Sequence, residues 1–227
     1  MSATPPLVRV RVWDLPTRVF HWALALCLVG LIVTGNVGGD AMVLHFRLGH
    51  AVLALLLFRL AWGFVGGRWS RFRSFIYGPR ALINDIRSRT NSSGRIGHSP
   101  AGALSVFAML AFIAAQVVSG LFSDDEIAFS GPLSHLASNA FVSLATGYHT
   151  EIGKLIVLAL VLLHLLAIAF YTWRRHRLVS AMVHGDKELT PTTPASRDDA
   201  LTRLGALLLL LICAGVSYFI SRLASPL

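Results

Sequence analysis

His149-Thr150-Glu151-Ile152-Gly153-Lys154-Leu155-Ile156-Val157-Leu158-Ala159-Leu160-Val161-Leu162-Leu163-His164 places two histidines at the ends of a run that is apolar almost throughout. The apolar character continues to Trp173, so Ile152–Trp173 has the roughly 20 residues a helix needs to cross a hydrocarbon core of about 30 Å. Four other stretches meet the same test: Thr17–Asn36, Leu44–Gly66, Pro100–Phe122 and Leu201–Arg222. The whole chain of 227 residues is 55% hydrophobic and only 14% charged, with a mean hydropathy of +0.65. That composition lies outside the range of ordinary soluble domains. The reading is an all-α integral membrane helix bundle. The first stretch starts too deep, and lacks the small-residue cleavage site, for a removed signal peptide, so its helix is expected to stay.

The formal charge of +9 follows topology and not a binding patch. Arg68, Arg71, Arg73, Arg80, Arg87, Arg89 and Arg95 fall in the second connection, whereas the third carries Asp124, Asp125 and Glu126 with no Lys or Arg until Lys154. The positive-inside rule then puts the second connection in the cytoplasm and the third outside, with the N-terminus cytoplasmic and the C-terminus periplasmic in a bacterial inner membrane. Arg9 and Arg11, and Arg174, Arg175 and Arg177, fall on the cytoplasmic side as well. No aromatic and basic groove is readable, which argues against nucleic acid. The two cysteines, Cys27 and Cys213, both lie in apolar stretches and form no Cys-x-x-Cys-His attachment site, so any haem is held without thioether links.

Residues 67–99 mix arginines with Phe72, Phe75, Ile76, Tyr77 and Leu82, which predicts an interfacial segment with a short amphipathic helix from Pro79. Ser92-Ser93-Gly94 reads as a turn and Lys187–Asp199 as a polar linker before the last span.

Nine histidines occur, and each one inside a span is a functional candidate because ionisable groups there are costly. His149 and His164 are separated by a rise of about 22 Å and a rotation of roughly 60° from whole turns, so they share a face at two depths. His149 is expected at the outer boundary and His164 toward the inner half. His21 matches the depth of His164, and His45 that of His149. Two depth-matched pairs follow, His21 with His164 and His45 with His149, each able to give a haem iron two axial imidazoles. His50 is the rival of His45, but lies about 140° around the helix and ~7.5 Å deeper, so only one of them serves a given iron. His45 is preferred and His50 read as a hydrogen-bonded or packing residue. His135, His176 and His184, in connections, and His98, just before the third span, are expected to be solvated or capping. Spacing alone leaves open that the whole set consists of satisfied core histidines or a proton relay.

Val12-Trp13-Asp14-Leu15-Pro16-Thr17-Arg18-Val19-Phe20-His21-Trp22, Leu44-His45-Phe46-Arg47-Leu48-Gly49 and Leu57-Phe58-Arg59-Leu60-Ala61-Trp62-Gly63-Phe64-Val65-Gly66 resemble the motifs of bacterial di-haem cytochrome b561 and hydrogenase-type cytochrome b subunits. Arg71-Phe72-Arg73-Ser74-Phe75, Gly78-Pro79-Arg80, Gly97-His98-Ser99-Pro100 and the His149 to His164 run continue the likeness over about residues 9–180. The resemblance implies a four-helix core binding two haems b through His21, His45, His149 and His164. It also implies electron transfer between an extracytoplasmic redox partner or small donor and the quinone pool, in either direction, and possible quinone binding. Residues 1–180 would form this domain, 181–200 a cytoplasmic linker, and 201–227 an additional C-terminal transmembrane helix for packing or docking. The partner would be a periplasmic c-type cytochrome, dehydrogenase or hydrogenase subunit, with membrane lipid around the bundle.

Arg18, Arg47 and Arg59 lie near the expected haem levels and suit haem propionates, or lipid phosphate by snorkelling. A quinone site is expected near the Arg71–Arg80 segment. Trp13, Trp22, Trp62, Trp69 and Trp173 sit at span ends, where interface anchoring is usual. Gly30, Gly35, Gly49, Gly120 and Gly153 suit close packing of helices or of a porphyrin. Two other functions compete: a stand-alone oxidoreductase taking electrons from a small species such as superoxide, and a histidine-containing transporter or structural anchor without haem. Against the latter, Asp14 and Glu151 lie only near span ends, where proton and cation carriers need a central acid.

Overall fold

A computed structural model describes residues 6–87 and 96–223. The turn expected at Ser92-Ser93-Gly94 lies outside the described residues, as do Arg89 and Arg95. The element order is β1 (Val8–Arg11), α1 (Leu15–Val37), α2 (Ala41–Val65), α3 (Pro79–Arg87), α4 (Pro100–Phe122), α5 (Asn139–Gly147), α6 (Gly153–Trp173), α7 (Leu178–His184), β2 (Asp186–Leu189) and α8 (Ala200–Ser221). Among the described residues five helical stretches are long and apolar enough to cross a membrane, as the composition required. Their large exposed side chains, such as Leu26, Leu163 and Leu211, suit a lipid surrounding, where an apolar exterior costs nothing.

The fourth span begins earlier than expected. A single π-helical turn, Tyr148–Ile152, joins α5 to α6, so the membrane-length stretch runs from Asn139 to Trp173. His149 therefore sits inside a continuous helix and not at its outer end. The polar cluster His149-Thr150-Glu151 hid this continuity in the sequence. The second helix likewise starts at Ala41, one turn before Leu44.

By packing, the chain divides into two compact units, residues 1–20, 59–107 and 163–207, and residues 21–58, 108–162 and 208–227. In the first unit β1 and β2 pair antiparallel, with Val8 opposite Leu189 and Arg11 opposite Asp186. Val10, Val12, Trp13, Ala181 and Leu189 form the apolar cluster behind the pair. The positive φ of Gly185, 90°, ends α7 in a left-handed cap, a conformation that glycine adopts without penalty; the Gly185 carbonyl then accepts from the N–H groups of Val12 and Trp13.

Lys187–Asp199, expected to be a linker, is consequently tied down. Its first residues are strand β2, Ser196 Oγ donates to Val12 O at 2.7 Å, and Asp198 accepts from Leu15 N at 3.1 Å and Arg11 Nη1 at 2.9 Å. Burial works to raise the Asp198 carboxyl, but hydrogen bonds from Arg203 and the Leu15 N–H outweigh it and hold the pKa below the ordinary carboxylate value. No periodicity announces a four-residue strand whose partner lies nearly the whole chain away.

Asp14 is the structural pivot of this unit. Completely buried, at 0% exposure, it accepts from Thr17 N (2.8 Å), Gly67 N (3.0 Å), Ser70 Oγ (2.7 Å) and Trp62 Nε1 (3.3 Å). It thus caps α1 and fastens the chain leaving α2. In the second unit, Gly38 and Gly39, both at positive φ, make the tight turn from α1 to α2. Beyond α4, an Asp124–Ser130 bridge closes a short loop in which the Asp125 carboxylate accepts from the N–H groups of Ile127, Ala128 and Phe129.

Candidate cofactor site

A cleft of about 270 Å³ opens in the second unit, lined by side chains of α1, α2, α4, the Asp124–Phe129 loop and the α5–α6 stretch. His45, His50 and His149 all line it. The rings of His45 and His149 meet edge-on, with centroids 6.1 Å apart and planes at 89°. Each ring is held by its Nδ1. His45 Nδ1 lies 3.2 Å from Leu31 O and 3.2 Å from Thr34 Oγ1; His149 Nδ1 lies 2.8 Å from Gln116 O and 3.4 Å from Ser119 Oγ. A carbonyl only accepts, so both Nδ1 atoms carry the proton and both Nε2 atoms keep the lone pair. This is the tautomer a metal-binding imidazole requires, and the backbone carbonyl is its usual orienting partner.

The π turn explains how His149 reaches this position. Gln116 Nε2 donates to the His149 carbonyl at 2.7 Å, so one residue of α4 grips His149 from both its backbone and its side chain. Such turns concentrate at functional sites. Glycines supply the room. A Cβ on Gly120 would lie 2.7 Å from His149 Cε1, and one on Gly35 would lie 3.1 Å from His45 Cε1. Gly30 serves helix packing instead, against Leu48, while Gly49 faces open space.

The geometry suits a metal that brings its own equatorial ligands. Metal–imidazole bonds of about 2 Å, added to two ring radii, put ring centres roughly 6.3 Å apart, close to the 6.1 Å seen. Among the described residues no three His, Cys, Asp or Glu side chains converge to hold a bare ion. Two imidazoles at that spacing, glycines beside them and an apolar cleft fit a haem.

His50, which lines the same cleft, has its Nδ1 3.4 Å and its carbonyl 2.7 Å from Ser217 Oγ on α8. His21 lies in the second unit and His164 in the first; both are half-buried on membrane-length helices. Of the three arginines, Arg59 is buried at 4% exposure, stacks over Phe72 at 4.8 Å and has an enclosed Nη1 without a hydrogen-bond partner. Arg18 donates to Val183 O at 2.6 Å and approaches Asp198 at 3.9 Å, with Nε enclosed and unpaired. Arg47 is exposed.

His98 departs from the solvated or capping role expected of it. Its ring lies 4.7 Å from Trp13 and 4.5 Å from Phe75. Burial, then the positive charges of Arg59 and Lys187, push its pKa down to about 3. Its position beside a helix start suggested exposure; the aromatic walls come from Trp13 and Phe75, distant in sequence. Gln116, Thr34 and Ser119 were also missed, since a polar residue on an apolar helix carries no signal of what it orients. Trp13 and Trp62 are core residues and not interface anchors.

Comparison with known proteins adds two findings. Residues 12–185 match the family described as prokaryotic cytochrome b561. Two curated relatives are similar in sequence: the probable Ni/Fe-hydrogenase 1 B-type cytochrome subunit of Escherichia coli (strain K12), 36% identical over 77 residues, covering 26% of this chain and 33% of that one; and the probable Ni/Fe-hydrogenase B-type cytochrome subunit of Bradyrhizobium diazoefficiens, 24% identical over 216 residues, covering 79% and 86%. The match thus spans about a third of the E. coli protein's length and most of the Bradyrhizobium one.

Proposed function

The chain belongs to the prokaryotic cytochrome b561 family, and from that premise we propose that it is a membrane electron-transfer protein binding two haems b, one between His45 and His149 and one between His21 and His164. The observation that carries the reading is the pair His45 and His149, with ring centroids 6.1 Å apart and each Nδ1 committed to a backbone carbonyl. For His21 and His164 the support is their matched depth on helices of opposite direction, together with the family likeness.

Bound haem supplies one-electron iron chemistry. The protein's own groups set its terms. Leu31 O and Gln116 O fix the imidazole planes and increase ligand basicity, which favours the more positive, oxidised centre. Gly35 and Gly120 keep the cleft open behind the ligands. Arg59 and Arg18 retain donor capacity toward a carboxylate, and a charge-assisted bond there offsets the burial of the guanidinium; exposed Arg47 is placed equally well for lipid phosphate.

In this reading the arginine-rich connection faces the cytoplasm of a bacterial inner membrane. Electrons pass between an extracytoplasmic partner and the quinone pool. The curated relatives are named as hydrogenase cytochrome subunits, which favours a hydrogenase or similar periplasmic dehydrogenase over a c-type cytochrome. Single His→Ala variants test the pairing. His45→Ala and His149→Ala should each abolish one and the same haem signal, and His21→Ala and His164→Ala the other. Loss of different signals from His45→Ala and His149→Ala would sink the assignment.

A further inference from the structure

A second cavity, of about 250 Å³, lies within the first unit, lined by Trp62, Val65, Gly66 and Gly67 at the end of α2, by Arg71, and by Arg197, Leu201, Thr202 and Gly205 around the start of α8. We propose that it binds the phosphodiester headgroup of an anionic phospholipid. Two guanidinium groups line one small space, and no carboxylate lines it with them. Arg71 is half-buried and anchored by Nε, which donates to Gly66 O at 2.7 Å, so its terminal nitrogens are presented on a fixed stem. Arg197 pairs through Nε with Asp199 at 2.6 Å, so an acid already offsets part of its charge. The planar fork of Arg matches phosphate oxygens.

The rim identifies the source of the phosphate. Val65 and Leu201 are 66% and 67% exposed beside the cationic space, so an anion here has apolar surface next to it for acyl chains. Gly205 has nothing within 4 Å of where a Cβ would stand, which leaves the mouth open. Basic cavities between helices at a membrane face are a known mode of anionic lipid recognition. The proposal is independent of haem. It also gives α8 a purpose, because Arg197, Leu201, Thr202 and Gly205 all lie beyond the family-matched residues 12–185.

The experiment is native mass spectrometry of the purified full chain titrated with phosphatidylglycerol, cardiolipin or phosphatidylcholine. The wild type should prefer the anionic lipids, and the double variant Arg71→Gln with Arg197→Gln should lose about 30-fold in that affinity, given roughly fivefold per arginine. Gly205→Leu, which blocks the space and leaves both arginines intact, should lose the preference too, and serves if the double variant fails to fold. Equal binding of phosphatidylcholine by the wild type would overturn the proposal, as would undiminished anionic preference in either folded variant. Displacement of the lipid by micromolar inorganic phosphate would also overturn it, assigning the site to a soluble anion.

Discussion

Two regions of the molecule bury polar groups in different ways. Around Asp14 every carboxylate oxygen finds donors within the protein, two from backbone N–H groups and two from side chains. In the cleft of the second unit, His45 and His149 are each anchored through Nδ1, on Leu31 O and Gln116 O. A buried polar network that closes on itself holds a fold together; a bond that fixes an imidazole by one nitrogen suits it to act as a ligand through the other.

The comparison breaks most violently at Asp14. Asp14→Ala strands four donors, two of them backbone groups, and should cost at least about 3 kcal/mol, seen as loss of folded protein and of all haem together. His149→Ala should instead leave a protein melting within a few degrees of wild type with half its haem. A collapse of similar size at both positions would erase the difference drawn above. Gly120→Ala is milder. Its methyl presses on the His149 ring, so one haem should become substoichiometric or shift in potential, measured by redox titration, while the other stays put. Gln116→Leu removes the bond to the His149 carbonyl, worth about 1 kcal/mol; if the ligand feels all of it, that one potential moves by roughly 40 mV, on a scale of 59 mV per tenfold.

His98 supplies a test that depends on pH. Its pKa is about 3 in the folded protein against 6.5 for the ordinary imidazole, so only the unfolded chain takes up the proton between those values. Stability is therefore full above pH 6.5 and falls as the pH drops toward 3, by up to about 1.4 kcal/mol per unit. Thermal melts in detergent at pH 7 and pH 5 should show this acid sensitivity, and His98→Phe should reduce it.

Much of the fold was legible because lipid imposes simple rules: length and hydropathy found all five membrane-length helices to within a turn, apart from the early start at Asn139 hidden by a polar π turn. The candidate ligands were legible because histidines in apolar helices are costly and therefore few. What the sequence concealed is everything made by distant pairing. The β1–β2 ribbon, the Asp14 network, the enclosure of His98 and the grip of Gln116 each join residues whose local context names no partner. The contact of His50 with Ser217 was hidden in the same way, because α8 lies outside the motifs.

The central claim is that the chain carries two haems b. A dithionite-reduced minus oxidised spectrum of the purified protein, with a pyridine haemochrome assay against protein concentration, tests it most directly. The account predicts close to two haems b per chain, and a folded but colourless protein would contradict it.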